Sequence, residues 1–289
     1  MELSQLKMFQ MVAEQGSIVR AATFLHCVPS NITHRIKLLE EELGVYLFVR
    51  KGKRLSISPA GVLFLDYTNR ILALSREAQR AVVAGALPSG IFRIGAIESA
   101  ATGRLPAILS KYHQAYPLVQ LHFSTNIWAQ LLADVIGHKL DAAVIAVDAE
   151  HPDIDRVEIY REEVVLIASE NVRELKTPED LVGTNVFMWP EGCPYRKLLE
   201  NWLGIHRTFT SISSVASYGT ILGCINSGSC VSLVPRGIFE QFKGSIRMKK
   251  YEFADLESIP NYFIWNKNAG FHAAREKFAE TLEVDFKRI

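Results

Sequence analysis

Residues 28–44 read VPSNITHRIKLLEEELG, and the fold turns on how this stretch is divided. At helical spacing Ile32, Ile36, Leu39 and Leu43 fall within about 60° of arc and define a buried face. Ser30, Thr33, His34 and Lys37 spread over about 100° on the other side, all in the N-terminal turns. Pro29 suits the first turn of such a helix, and Glu40, Glu41 and Glu42 crowd its far end. Hydroxyl, imidazole and ammonium groups on the leading turns suit base edges and phosphates in a DNA major groove. An ordinary solvated face on a three-helix bundle is the competing reading.

The flanking residues bear on that choice. Leu3, Leu6, Phe9 and Val12 form one apolar stripe; Ile18, Ala21, Ala22 and Leu25 form a second, with Ser17 as its N-cap. Only "HCV" separates the second helix from the third, a helix-turn-helix spacing. After it, GVYLFVRKGKRLSISPAG (44–61) reads as strand, basic turn and strand, a hairpin wing beside a groove-reading helix. The DNA-contacting set expected from the pair is Ser30, Asn31, Thr33, His34, Arg35 and Lys37, with Arg50, Lys51, Lys53 and Arg54 in the wing. Charge agrees: residues 1–90 carry 11 Lys and Arg against 7 Asp and Glu, although the whole chain is only +1.

From Pro59 to about Ala84 the spacing predicts one long helix. Phe64, Tyr67, Ile71, Leu74 and Ala78 repeat at three and four residues, as in a coiled-coil seam. The seam meets either a copy of itself in a second chain or the protein's own winged domain. AGALPSG (84–90) ends the helix as a hinge.

Beyond residue 90 strands alternate with helices, which implies α/β architecture with a largely parallel sheet, in two lobes. Ligands of such sheets sit outside the carboxyl ends of strands. That rule singles out Glu98, Ser99 and Thr102, then Thr125 and Asn126, then Asp148, all of which helix capping explains equally well. In GCPYRKL (192–198) Arg196 either clamps a carboxylate or pairs with Glu98 or Glu191, and Cys193 near the helix start would have a depressed pKa if it were a redox sensor.

Composition narrows the function classes. With 48% hydrophobic and 22% charged residues among 289, the chain is an ordinary globular one. No apolar run reaches membrane length, the beginning lacks a leader, and four scattered cysteines (27, 193, 224, 230) offer neither zinc spacing nor a disulfide scaffold. A cytoplasmic protein is expected, without membrane, metal or cofactor. No GxSxG, HExxH, GxGxxG or GxxxxGK marks an enzyme, so no catalytic residue is assigned.

GSIVRAATFLH, ITHRIKLLEEELGVYLFVRKGKRLSISPAG, FRIGAIES and LVPR together resemble the LysR-type transcriptional regulators, over the whole length. Two positions depart: family members often carry Gln where Pro29 stands, and Arg or Lys where His34 stands. The resemblance implies a winged helix-turn-helix (1–58), a dimerising linker helix and hinge (59–90), and a two-lobed effector domain of periplasmic-binding-protein type (91–289). Lobe I is expected at about 91–161 and 267–289, lobe II at about 162–266. It further implies a homodimer, and commonly a homotetramer, on a pseudo-palindromic duplex operator, with a small effector held between the lobes; Tyr195 and Tyr218 join the effector set on that ground. CPYR with ENWL looks most like the putrescine-utilisation branch, implying a polyamine- or amino-acid-related effector.

Overall fold

The computed structural model describes residues 1–51, 54–81, 88–228 and 230–286; the side chains of residues 50, 51, 54, 77, 80, 81 and 207–209 are also outside the description. Lys53 and much of the 84–90 hinge therefore lie outside the described residues. Two compact units divide the chain, one built on residues 1–85, the other on 86–136, 140–267 and 273–289.

The first unit opens with α1 (Leu3–Gln15), α2 (Ile18–Phe24) and α3 (Pro29–Leu43). Ser17 caps α2 by accepting the Arg20 N–H, and Pro29 begins α3 as its missing N–H allows. Leu6, Phe9 and Val12 pack with Ala21, Ala22, Ile32, Ile36 and Leu39, all buried. Gly44 ends α3 in the left-handed region, φ 68°, where a side chain would be strained. The hairpin follows as β1 (Phe48–Lys51) and β2 (Arg54–Ile57), antiparallel, with Phe48 opposite Ile57. Ser58 then joins wing to helix: its Oγ donates to Tyr46 O at 2.7 Å and accepts the Gly61 N–H at 2.9 Å.

α4 (Pro59–Ala81) is the long helix, and its register corrects the expected seam. Phe64 turns inward, its ring 5.2 Å from that of Phe9. Thr68, Asn69 and Leu72 share that buried side. Leu63, Tyr67, Leu74 and Ala78 are exposed, while Ile71 is half-buried between the two faces. The outer stripe therefore begins at Leu63. A hydrophobic repeat cannot tell which of two adjacent apolar residues faces the core, and Phe9 takes Phe64.

The second unit has two lobes. The first contains β3 (Gly90–Ala96), α5 (Glu98–Gly103), α6 (Leu105–Ala115), β4 (Val119–Thr125), α7 (Trp128–Ile136), β5 (Ala142–Ile145) and β6 (Ile154–Glu162). The second follows as β7 (Val164–Ala168), β8 (Asn185–Met188), α8 (Pro194–Leu203), β9 (Ser211–Ser214), α9 (Tyr218–Asn226), β10 (Val231–Pro235), α10 (Arg236–Phe242) and β11 (Lys249–Tyr251). β12 (Ile259–Asn266) and α11 (Ala273–Phe286) close the described chain.

Strand order is β4-β3-β5-β12-β6 in one sheet and β11-β7-β10-β8-β9 in the other. In each, three neighbouring strands pair in parallel and one reversed strand, β12 or β7, pairs antiparallel with both its neighbours, so parallel pairing is confined to one side of each sheet. β5 and β7 are buried at every position and read as unbroken apolar runs, as strands covered on both faces do. α6 and α11 cover one face of the first sheet, and α7 covers the other.

β12 corrects the expected lobe boundary. It pairs with β5 and β6, so the second lobe ends near residue 258 rather than 266. The chain thus crosses between lobes twice, after β6 and before β12. Among the described residues no helix is long and apolar enough to cross a membrane.

Candidate functional site

Two places gather the expected residues. On α3 the buried residues Ile32, Ile36 and Leu39 fix the rotation of the helix, leaving Ser30, Asn31, Thr33, His34 and Lys37 exposed along the opposite ridge. The Thr33 hydroxyl donates to Pro29 O at 3.0 Å, which holds its rotamer while the oxygen stays open to a donor. Lys37 sits 3.5 Å from Glu41, with both side chains in solvent, a contact that phosphate easily replaces. Arg35 is different: its Nη1 binds Glu2 Oε2 at 2.6 Å, tying α3 to the start of α1 and taking the guanidinium out of the ridge. Glu2 is held below the usual carboxylate range by the Ser4 hydroxyl and by Arg35.

The sequence placed Glu40 with its two neighbours at the far end of α3 and gave it no partner. Its Oε1 instead accepts the N–H groups of Leu47 and Phe48, at 2.7 and 3.1 Å, and so pins the base of the wing to α3. Arg50, Lys51 and Arg54 lie on the strands of that wing.

The second place is a cleft of about 230 Å³ between the two lobes of the effector half. Four strand ends build it, as the carboxyl-end rule requires. β3 leads into Ile97, Glu98 and Ser99; β4 leads into Asn126, Ile127 and Trp128. From the other lobe β8 supplies the run Trp189 to Tyr195, and β9 supplies Ala216 and Tyr218. The Trp128 indole N–H donates to Gly192 O at 3.0 Å, joining the two walls. The rings of Trp189 and Tyr218 pack at a tilt of 55°, centroids 5.3 Å apart.

Of the expected effector residues, Glu98, Ser99, Asn126, Cys193, Tyr195 and Tyr218 line this cleft. Four do not. Thr102 lies one turn along α5 and donates to Glu98 Oε1 at 3.3 Å. Thr125 is exposed at the end of β4. Asp148 is bound to Arg156 on β6. Arg196 is buried and knits α8 to its own lobe: Nε to Glu200 at 2.9 Å, Nη1 to Ser214 Oγ at 2.8 Å, Nη2 to Glu191 at 3.7 Å. Its guanidinium is thus taken up by Glu200, Ser214 and Glu191 of its own lobe.

Cys193 also departs from expectation. Burial pushes its thiol up, and the N–H groups of Arg196 and Tyr195 only partly offset this. The premise of a thiolate favoured by the helix start fails, because the desolvation of the sulfur outweighs those donors. The sequence reading reached Trp128 only as the end of the rim STNIW (124–128), without a role, and missed Trp189. Trp189 directly follows β8, so applying the rim rule to every strand would have found it.

Comparison with known proteins agrees with both units. Residues 3–62 match the model of the bacterial regulatory helix-turn-helix protein, lysR family, and residues 85–286 match the LysR substrate binding domain. The regulator YusT of Bacillus subtilis is 34% identical over 97% of this chain and 95% of its own length. SoxR of an Arthrobacter strain is 32% identical, over 98% and 97% respectively. Among solved structures, full-length CbnR in complex with its target DNA matches 98% of this chain and 99% of that one, with TM-score 0.69 at 22% identity. A full-length OxyR variant of Pseudomonas aeruginosa covers 99% and 95%, with TM-score 0.76 at 20% identity. The α3 ridge, the hairpin and the two-lobed cleft thus occur together in a chain that belongs to the LysR family of bacterial helix-turn-helix transcriptional regulators, which are not enzymes.

Proposed function

We propose that this regulator reads duplex DNA through the α3 ridge and the wing, pairs with a second copy through the outer stripe of α4, and is switched by a small metabolite held in the cleft. Ser30, Asn31, Thr33 and His34 meet base edges, while Lys37 and the basic wing meet phosphates. Leu63, Tyr67, Leu74 and Ala78 form the dimer seam, and effector halves pair separately to give a tetramer on a pseudo-palindromic site in the cytoplasm. The effector is a metabolite of the polyamine or amino-acid kind. Its binding shifts the balance between lobe arrangements and re-aims the paired heads, a coupling for which ~1–3 kcal/mol is ordinary.

The observation that carries this reading is the ridge itself: five polar side chains stand exposed on α3 directly opposite the residues that anchor it. Genomic footprinting supplies the operator, and anisotropy titrations of that duplex against a scrambled one test the ridge. Lys37→Ala weakens both duplexes alike and flattens the salt dependence by about one phosphate contact. Ser30→Ala and Thr33→Ala narrow the gap between operator and scrambled DNA. Wild-type behaviour in all three variants removes the assignment.

A further inference from the structure

The cleft presents carbon to a ligand. Ile97, Ile127, Trp128, Trp189, Pro190 and Tyr218 supply much of its wall, and the surface open to a ligand is apolar almost throughout. Among the described residues that line it there is no Lys, Arg or His. The polar groups nearby are bound to the protein or turned to solvent. The hydroxyls of Ser99 and Tyr195 bind one another inside the wall, and Tyr195 also reaches Asn261. Trp189 Nε1 is buried, and the Trp128 N–H is taken up by Gly192 O. Asn126 Oδ1 accepts the Ile127 N–H at 2.9 Å, and Glu98 Oε1 accepts the Thr102 hydroxyl at 3.3 Å. Glu191 stands at the rim with its side chain 90% exposed, 3.7 Å from Arg196, so its charge is met by water and by that cation.

The same enclosure acts on whatever must ionise there. Burial pushes up the phenols of Tyr195 and Tyr218 and the thiol of Cys193, all residues of the cleft wall. A charged group on a ligand would lose its water on entry and find little polar surface in exchange. An uncharged ring meets the opposite conditions. Each face it turns to the wall removes carbon from water, and ring-on-ring contact adds about two- to tenfold in affinity beyond the area buried. Size agrees with such a ligand. An apolar cavity of about 150 Å³ takes up benzene. A space of about 230 Å³ therefore holds one ring or two fused rings with a short substituent.

We propose that the cleft binds a small uncharged aromatic molecule, of the kind that remains when an aromatic amino acid has lost the charges of its ammonium and carboxylate groups. This inference rests on the cleft being the effector site. It narrows the metabolite proposed above to the amino-acid kind without its charges, and sets a polyamine aside.

Isosteric pairs test it on the full-length protein by calorimetric titration and thermal shift: tryptophol against tryptamine, indole-3-acetamide against indole-3-acetate, 2-phenylethanol against 2-phenylethylamine, and phenylacetamide against phenylacetate. Each pair shares size and shape and differs by one charge. In the one-ring or the two-ring series the uncharged members bind, and their charged partners bind about tenfold or more weakly, the scale of an ion left without water or a counterion. 2-Cyclohexylethanol, saturated but equally apolar, binds more weakly than the better of the two aromatic alcohols. A charged probe that matches or exceeds its uncharged partner, tighter binding of 2-cyclohexylethanol, or no binding by any probe overturns the assignment. Ala216→Trp fills the cleft from an exposed position and tells failure of this inference from failure of the site. A charged probe that binds wild type more tightly than its partner and is lost in this variant leaves the cleft standing and removes the uncharged ligand. A probe bound equally by wild type and variant removes the cleft as its site. Ile127→Glu, on the exposed rim, gives a second check: it weakens the alcohols and strengthens the amines, and an unchanged preference counts against the cleft.

Discussion

Cys193 and Arg196, three residues apart at the start of α8, show how burial decides what a reactive side chain does. The same helix end that offers Cys193 two N–H groups also encloses its sulfur, and the enclosure dominates. Because its pKa is raised, the thiolate fraction at neutral pH falls below that of a free cysteine. Carboxamidomethylation of Cys193, resolved by mass spectrometry, should therefore be slow at pH 7 and keep rising beyond pH ~9. A plateau below neutrality would restore a redox role. Arg196 was legible in the sequence as a cation near a helix start, but not its allegiance. Ser214 lies on another strand and the carbonyl of Trp189 seven residues back, and a one-dimensional reading cannot weigh such distant partners against a ligand. Glu191, five residues before it, did foreshadow one pairing; the closer partner, Glu200, one turn along the helix, did not enter that reading. The α3 ridge was legible because the residues that fix its rotation are local.

At the scale of elements, α4 carries two apolar faces with different duties. Phe64, Thr68 and Leu72 face inward, while Leu63, Tyr67 and Leu74 are exposed by half or more. The faces respond differently to substitution. Phe64→Ala removes a ring packed at a tilt against Phe9 and should cost on the order of 2–3 kcal/mol of head stability, somewhat below the figure for a fully buried phenylalanine, as followed by circular dichroism in urea. Leu74→Glu should leave that stability within about 0.5 kcal/mol and shift sedimentation toward monomer. A normal dimer in Leu74→Glu would place the pairing surface elsewhere. Strands were recognisable where burial imposes a composition: β5, β7 and β10 are buried throughout and almost wholly apolar. β6 was not, because IDRVEIYRE is an edge strand, mostly exposed along its length, and its charges look like loop. α5 and α10 escaped notice for another reason: at six and seven residues they show little of a helical period, and unlike the equally short α2 neither has a side-chain N-cap to mark its start.

The effector half as a whole depends on how two separately wound sheets meet. Periodicity cannot show that β12 returns to the first sheet, since its alternation suits either lobe; only pairing with β5 and β6 decides it. With two crossing segments, the lobes also touch through α5 and α10, and there the approach is close enough to require glycine. A Cβ on Gly103 would stand 2.8 Å from the carbonyl carbon of Gly237 and 3.0 Å from the Ile238 nitrogen. Beside this contact Glu162, buried at the end of β6, receives both Arg104 and the Gly237 N–H, the latter at 3.0 Å. Backbone atoms cannot rotate aside as a side chain can, so Gly103→Ala must push α10 from α5 or strain both. Overpacking of this kind costs ~1–3 kcal/mol, which exceeds the ~1 kcal/mol that alanine gains over glycine in a helix. Gly223 in α9, where an added Cβ meets nothing within 4 Å, provides the opposite case and should gain stability on the same change. All four tryptophans, 128, 189, 202 and 265, belong to this half, so urea unfolding followed by their fluorescence reads it without interference from the head. Gly103→Ala should shift that transition to lower urea and weaken ligand binding in the cleft, whose two walls the same contact holds in place. If Gly103→Ala and Gly223→Ala moved it equally, the close approach of α5 and α10 would not be what sets the spacing of the lobes.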